Sequence, residues 1–416
     1  MKNILQHILW SFSRLILRKY RPEVIGITGS VGKTSTKEAV FAVLATTYNI
    51  RRNQKNYNNE IGVPLTIIGA EAGGRSLLRW VWVFFKATWL LCIRDRSYPD
   101  MLILELGADH PGDIKKLAAL IKPTVAVVTE IAESHLEFFE TVEGVAQEKG
   151  ELVRAVPATG HVVLNYDNKF VHDLKDLTEA SIHFFGLTTA ADVYASAVQV
   201  AMDNTKPIGM QCVIHAGDAT TTMVIPQIVG QHLVYPILAA VAVGMLYDLD
   251  LATINRGIQA LMPPKGRMRL IDGIKKTIII DDSYNSSPLA AKRAVEQLAL
   301  MPTKNATYAV LADMLELGRS TAHLHYDLGV TVALHNVDYL ITVGELSRDI
   351  VRGALATNMS KDRCFNFQDS VAAGQFLQKR IEPGDALLVK GSRGMHMELA
   401  VKELMAEPER ADELVL

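Results

Sequence analysis

Gly26-Ile27-Thr28-Gly29-Ser30-Val31-Gly32-Lys33-Thr34-Ser35-Thr36 is a glycine-rich turn that ends in Gly-Lys-Thr directly after an apolar run. Glycines at 26, 29 and 32 let several backbone N–H groups point into one concavity without Cβ obstruction, which is what holding polyphosphate requires. Lys33 is then placed to neutralise outer phosphates, and Thr34 to offer its hydroxyl to Mg²⁺. The spacing is imperfect. The usual phosphate loop sets four residues between its first Gly and the Gly-Lys pair, whereas Gly26 leaves five and Gly29 leaves two. Context decides the reading: Glu23 to Thr28 has the character of a buried strand, and Thr34 to Thr46 that of a helix with a polar start. Strand, loop and helix N-terminus together form an anion-binding arrangement; a plain turn between strand and helix is the alternative.

The same rhythm continues outward. Apolar runs at Met101 to Leu106, Val125 to Glu130 and His161 to Asn165 alternate with helical patterns, which predicts an α/β domain with a parallel sheet. Short β-like runs at Asp192 to Ala201 and Gly209 to His215 predict a small β subregion, and Leu233 to Tyr247 an Ala-rich helix. Met262-Pro263-Pro264-Lys265-Gly266 reads as a linker. Beyond it a second α/β rhythm places strands at Thr277 to Asp282, Thr307 to Ala312, Tyr339 to Val343 and Ala386 to Lys390. The expected organisation is an amphipathic helix over 1–21, a phosphate-loop domain over 22–263 with an apolar insert at 77–93, and a Rossmann-like domain over 264–416.

A formal charge of −2 over 416 residues lacks the basic excess of a general nucleic-acid binder. Cys92, Cys212 and Cys364 are too few and too scattered for a disulfide framework or a zinc site, which points to a reducing, cytoplasmic setting. Two segments qualify that setting. Residues 4 to 20 place Ile4, Leu5, Ile8, Leu9, Phe12, Leu15 and Ile16 at helical spacing, with Lys2, Arg14, Arg18 and Lys19 on or near the other face. Leu77 to Ile93 carries Trp80, Trp82 and Trp89 with Phe84 and Phe85, interrupted by Arg79 and Lys86, which make spanning a bilayer costly. Both are expected to meet a membrane surface or a partner, at the inner face of the membrane, the second as an interfacial or partner-binding helix hairpin element with burial inside the protein as its alternative.

Further constellations carry chemistry. Glu105 closes a strand and precedes Gly107-Ala108-Asp109-His110, where open α/β sheets bind ligands, and its carboxylate suits Mg²⁺, an ordinary strand-end carboxylate being the alternative. His135 follows another strand among carboxylates. By itself it reads as a surface histidine or a metal ligand, and Lys149 as a solvated helix charge. Ile278-Ile279-Ile280-Asp281-Asp282-Ser283-Tyr284-Asn285 delivers two carboxylates into a polar turn before Pro288, a site anchored by an apolar strand or simply a capped helix start.

Taken in order, these pieces resemble the Mur ligases, the ATP-dependent amide-forming family of bacterial cell-wall synthesis, and within it the MurF branch that adds D-alanyl-D-alanine. The resemblance runs from about residue 22 to 402 and rests on Gly29 to Thr34, Asn58-Asn59-Glu60-Ile61-Gly62-Val63-Pro64, Glu105 to His110, His135-Leu136-Glu137, Lys149-Gly150-Glu151, Gly266-Arg267, Asp281 to Asn285, Asp313 to Gly318 and Lys390-Gly391-Ser392-Arg393. It implies that Gly29, Ser30, Val31, Gly32, Lys33, Thr34 and Ser35 bind ATP phosphates. Thr34 and Glu105 would hold one Mg²⁺, and His135 with a carbamylated Lys149 a second; Lys33, His135 and Lys149 are the implied catalytic residues. Arg267, Asp282, Tyr284 and Asn285 would close on the nucleotide. Asn58, Asn59, Glu60, Asp313, Lys390, Ser392 and Arg393 would face the substrates.

The implied reaction activates a carboxylate as an acyl phosphate and lets an amine displace phosphate. Its acceptor would be a muramyl peptide, and the added group D-alanyl-D-alanine or another amino acid or peptide. The family normally places a UDP-holding domain of roughly a hundred residues before the ATP domain. Only about 20 residues precede the first strand here, so an acceptor with another handle is expected, a membrane-linked one included. A polyglutamate-like or folate-like acceptor and a non-catalytic ATP-binding scaffold are the competing readings.

Overall fold

Five consecutive buried residues, Val24 to Thr28, mark the first strand as an interior one of its sheet, since a strand covered on both faces has no solvent side. In the computed structural model, which describes residues 2–54, 57–132 and 136–416, the chain forms two compact units. The first comprises residues 1–197, 212–223 and 233–261; the second comprises 198–211, 224–232 and 262–416.

In the first unit the order is α1 (Lys2–Tyr20), β1 (Glu23–Thr28), α2 (Lys33–Leu44), β2 (Ile50–Arg52), α3 (Gly62–Ile68), α4 (Leu77–Cys92), β3 (Met101–Glu105) and α5 (Asp113–Ile121). It continues through β4 (Val125–Val128), α6 (Leu136–Phe139), α7 (Val142–Arg154), β5 (His161–Asn165), α8 (Lys169–His172) and β6 (Ser181–Gly186), then through β7 (Val193–Asp203), β8 (Lys206–Ala216) and β9 (Ala219–Pro226), of which residues 198–211 and 224–226 count with the second unit, to α9 (Val234–Leu246) and α10 (Leu251–Gln259). The sheet order is β2-β3-β1-β4-β5-β6-β7-β8-β9, parallel from β2 to β7. β1 lies between β3 and β4, pairing Ile27 with Glu105 and with Val127, so the ends of three strands meet at the phosphate loop. The β subregion is larger than its short sequence runs predict: β7 and β8 each have 11 residues, joined by a two-residue turn at 204–205. Burial alternates along most of β8 but is broken along β7, where Ser196 and Ala197 are both exposed, so neither strand reads as one unbroken apolar run.

The amphipathic segments form single helices, and α4 is not a hairpin. Leu9, Ser13 and Ile16 of α1 are buried, and Leu5, Phe12 and Leu17 pack on the same core, while Ile4, Ile8 and Leu15 face outward. The apolar stripe of α1 is therefore wider than the contact that uses it. On α4, Val83, Ala87 and Leu90 are buried; Leu78, Trp82, Phe85 and Trp89 are 82, 61, 54 and 49% exposed. Lys19 Nζ donates to the Leu90 and Leu91 carbonyls (2.8 and 2.9 Å), and the Tyr20 hydroxyl to Leu90 (3.0 Å), so α1 caps the end of α4.

The second unit runs β10 (Arg269–Asp272), β11 (Ile278–Asp282), α11 (Pro288–Ala299), β12 (Thr307–Ala312), α12 (Thr321–Leu334), β13 (Tyr339–Val343), α13 (Arg348–Ala356), β14 (Cys364–Phe367), α14 (Ser370–Arg380), β15 (Ala386–Lys390), α15 (Glu398–Leu404) and α16 (Ala411–Leu414). Its sheet order is β10-β11-β15-β12-β13-β14, parallel except for antiparallel β10. Ile279, Val310, Ile341 and Leu387 form its core with Ala400 and Leu404 of α15.

Candidate active site

The phosphate loop is tied to the segment that follows β4. The Ser30 N–H donates to the Glu130 carbonyl (2.6 Å), the Ser30 hydroxyl to Ala132 (3.0 Å) and the Thr129 hydroxyl to Val31 (2.6 Å). Only glycine fits at 29, where a Cβ would lie 2.0 Å from Thr129 Oγ1, and Gly32 enters α2 at φ +86°. Lys33 Nζ folds over the loop onto the Gly29 and Ser30 carbonyls (2.6 and 3.2 Å), and Ser35 lies in the first turn of α2.

Thr34 and Glu105 meet as the sequence predicts, with Oγ1 3.2 Å from Oε1. The Asn58 amide donates to the same carboxylate oxygen (3.2 Å), and the buried Lys37 ammonium lies 3.5 Å from the other. Asn53 fixes the strand end: its Oδ1 accepts from Glu105 N (2.9 Å), and its amide donates to the Glu105 and Tyr57 carbonyls (3.0 and 2.9 Å). Lys37 and Asn53 are absent from the sequence-based site. Lys37 has a signal there, standing four residues after Lys33 on one helix face, whereas Asn53 has none.

Lys149 projects from α7 into the same place. Burial, with the Lys33 ammonium nearby, pushes its amine from the usual 10.5 down to about 7, against a partial opposing pull from Glu148. Glu148 is another omission of the sequence reading: its carboxylate accepts from Gly112 N (2.7 Å) and Ile114 N (2.6 Å), which joins α7 to the start of α5. Gly29, Ser30, Lys33, Lys149, Asn58, Asn59, Glu60, Asp109 and His110 line one cleft of about 350 Å³. Asn59 also works structurally, since Oδ1 accepts from Ile61 N and Gly62 N at the start of α3 (3.2 and 2.9 Å). His135 lies outside the described residues.

The donor set suits one Mg²⁺, because a hydroxyl and a carboxylate beside a phosphate loop are the hard oxygen ligands that ion prefers. Among the described residues no group of three His, Cys, Asp or Glu side chains could hold a metal by itself.

In the second unit the Arg267 guanidinium lies 4.4 Å from the Tyr284 ring centroid. Lys390 Nζ donates to Asp282 Oδ2 (2.5 Å) and to the Asn285 carbonyl (2.9 Å), while Asp282 Oδ1 accepts from Met268 N (3.2 Å). Neighbouring Asp281 is fully buried, and burial pushes its carboxyl up to about 6. Asp313 accepts from Ser347 N (2.7 Å), Ser392 Oγ accepts from Leu315 N (2.9 Å), and Arg393 lies 3.4 Å from the Glu398 carboxylate. The structure thus gathers Arg267, Asp282, Tyr284, Asn285 and Lys390 around one turn. It uses Asp313 and Ser392 to brace the loop between them.

Comparison with known proteins identifies the arrangement. The Mur ligase middle domain matches residues 27–77 and 90–244, and the Mur ligase glutamate ligase domain matches 266–393. The chain is 28% identical to the UDP-N-acetylmuramoyl-tripeptide--D-alanyl-D-alanine ligase of Bacillus subtilis, over 96% of this chain and 79% of that one. It is 30% identical to the ligase of the same name from Mycobacterium tuberculosis H37Rv, over 92 and 73%. A crystal structure of MurF from Acinetobacter baumannii superposes with a TM-score of 0.79 at 25% identity, covering 96% of this chain and 80% of that one. MurF from Thermotoga maritima in complex with ADP superposes at 0.77 with 23% identity, covering 98 and 84%. A folylpolyglutamate synthase shares the fold alone, at 14% identity. The chain belongs to the Mur ligase family.

Proposed function

We propose that this ATP-dependent ligase joins D-alanyl-D-alanine to the peptide of a muramyl-tripeptide acceptor through an acyl phosphate. One observation carries the reading: the phosphate loop, Lys149 and the Asn58–Glu60 segment line a single cleft, so phosphate donor and acceptor have adjoining places. A carboxylate is a poor acyl donor because its leaving group would be oxide. Transfer of the γ-phosphoryl group of ATP to that carboxylate supplies a better one, and attack by the dipeptide amine then releases phosphate. Lys33 and the loop N–H groups position the phosphates and neutralise charge, and Asn58, Asn59 and Glu60 orient the acceptor. Mg²⁺ held by Thr34 and Glu105 would screen the phosphate oxygens.

The further site assignments belong to the same proposal. Arg267, Asp282, Tyr284 and Asn285 contact the nucleotide, and Asp313, Lys390, Ser392 and Arg393 serve the incoming dipeptide. An amine at about 7 is substantially neutral near neutral pH, and only a neutral amine adds CO₂; Lys149 is therefore chemically ready for carbamylation, and with His135 would serve a second Mg²⁺. A membrane surface is the remaining partner, reached through residues 1–20 and 77–93 at its inner face.

The test is phosphate release from ATP with UDP-muramyl-tripeptide and D-alanyl-D-alanine. Release should depend on both substrates and fall by about 10²-fold or more in Lys33→Ala, the scale of losing one charge-stabilising group. No dipeptide-dependent release would overturn the acceptor assignment.

A further inference from the structure

No helix among the described residues is long and apolar enough to cross a membrane, yet α4 turns Leu78, Trp82, Phe85 and Trp89 outward. At i, i+4, i+7 and i+11 these side chains occupy one helical face, opposite Val83, Ala87 and Leu90, which the core buries. Its 16 residues span about 24 Å, short of the roughly 30 Å hydrocarbon layer, so a bilayer would meet this helix lying flat. The ligase family match breaks over 78–89, the stretch that carries Trp82, Phe85 and Trp89, so the shared chemistry does not account for them.

Charge identifies the occupant. Residues 1–22 and 72–94 together contain nine Lys and Arg and no Asp or Glu, within a chain whose formal charge is −2. Arg14, Arg18, Arg21, Arg75, Arg79 and Arg94 are exposed. Among the described residues, no carboxylate pairs with any of them. A second copy of the chain docking on this face by two-fold symmetry would set arginines against arginines. An anionic lipid surface complements them, while the aromatic residues suit the depth of the headgroups. The face also adjoins the acceptor side of the cleft: Trp10 Nε1 of α1, the helix that caps α4, donates to the Glu60 carbonyl (2.8 Å).

Resting on the proposed cytoplasmic-face ligase, we propose that the outward faces of α1 and α4 dock on an anionic bilayer, bringing the acceptor rim of the cleft to the membrane surface. Flotation of the full chain with vesicles tests this. It should rise with phosphatidylglycerol-containing vesicles at least about tenfold more than with pure phosphatidylcholine, and this preference should weaken with salt. The Trp82→Ser, Phe85→Ser, Trp89→Ser variant should lose flotation with an unchanged thermal midpoint, and Arg75→Glu with Arg79→Glu should lose the preference for anionic lipid. Absence of the parent from the floated fraction, equal flotation of the triple variant, or a dimer that depends on this face and excludes vesicles would overturn the proposal. Ligation of soluble UDP-muramyl-tripeptide, measured without vesicles, should be equal in parent and triple variant. If ligation fails while flotation holds, the acceptor assignment falls and the docking surface stands; the reverse result removes the docking surface alone.

Discussion

Lys149 shows what a single side chain conceals in sequence. Between Glu148 and Gly150 it has the look of a solvated helix charge, and only burial beside Lys33 reveals an amine held near 7. That shift has a stability consequence. The unfolded chain keeps the lysine proton up to about 10.4, whereas the folded chain releases it near 7, so between these values the unfolded state binds more protons and stability rises with pH. The unfavourable contribution is fully present below pH 7 and relieved toward pH 10. In Lys149→Met this dependence should vanish: relative to the variant, the parent should gain stability on going from pH 7 to 9.5, by at most about 1.4 kcal/mol per pH unit. Urea unfolding at both values checks it, and parallel curves for the two proteins would contradict the buried amine. Carbamylation of the same amine in ¹³C-bicarbonate would give a ¹³C-carbamate signal that the variant lacks.

Elements were legible where one physical rule dominated. β1, β3, β5, β11, β12, β13 and β15 are apolar runs between polar turns, the signature of strands covered on both faces. β2 is three residues containing two arginines, and β14 is only partly buried, so neither has that signature. In the site, the phosphate loop and Glu105 are readable because strand ends and glycines mark them. Lys37 is marked by its place one turn after Lys33, whereas Asn53 and Glu148 act through contacts made only when distant segments meet. Glu148 is the clearest case, since α7 supplies the acceptor for two N–H groups at the start of α5, on the rim that carries Asp109 and His110. Glu148→Ala leaves those donors without that carboxylate. Stability should drop by about 2 kcal/mol, within the usual penalty for unsatisfied buried groups. As the rim loosens, KM for the acceptor should rise more than kcat falls. Thermal unfolding with steady-state kinetics measures both, and an unchanged midpoint would show that water replaces the carboxylate at no cost.

At the scale of the whole molecule, order along the chain and order in space part company. The Pro-Pro linker suggests a clean cut near 263, but residues 198–211 and 224–232 belong to the second unit. Within that unit, Val229 N donates to the Met268 carbonyl (3.1 Å), Leu270 N to Gln227 (2.8 Å), and Ile228 bridges Arg269 in antiparallel fashion, so residues 227–229 cover the edge of β10. Arg269 is buried, and Gln227 Oε1 accepts from its guanidinium (3.2 Å); Lys206 pairs with Asp272 (2.7 Å) on the same strand. A fragment comprising 262–416 would keep the six-stranded sheet and lose this cover. It would expose an unpaired strand edge and leave a buried guanidinium short of an acceptor, a combination that favours edge-to-edge association. The fragment should therefore self-associate in sedimentation velocity and unfold at lower urea than the corresponding transition of the intact chain. Arg269→Met should recover part of that stability in the fragment, because it removes a buried guanidinium that keeps the Glu413 and Leu414 carbonyls but has lost its shorter bond to Gln227. A monomeric fragment with the urea midpoint of the intact chain would show that the second unit is complete from residue 262, and that the distal ends of β7, β8 and β9 contribute nothing to it.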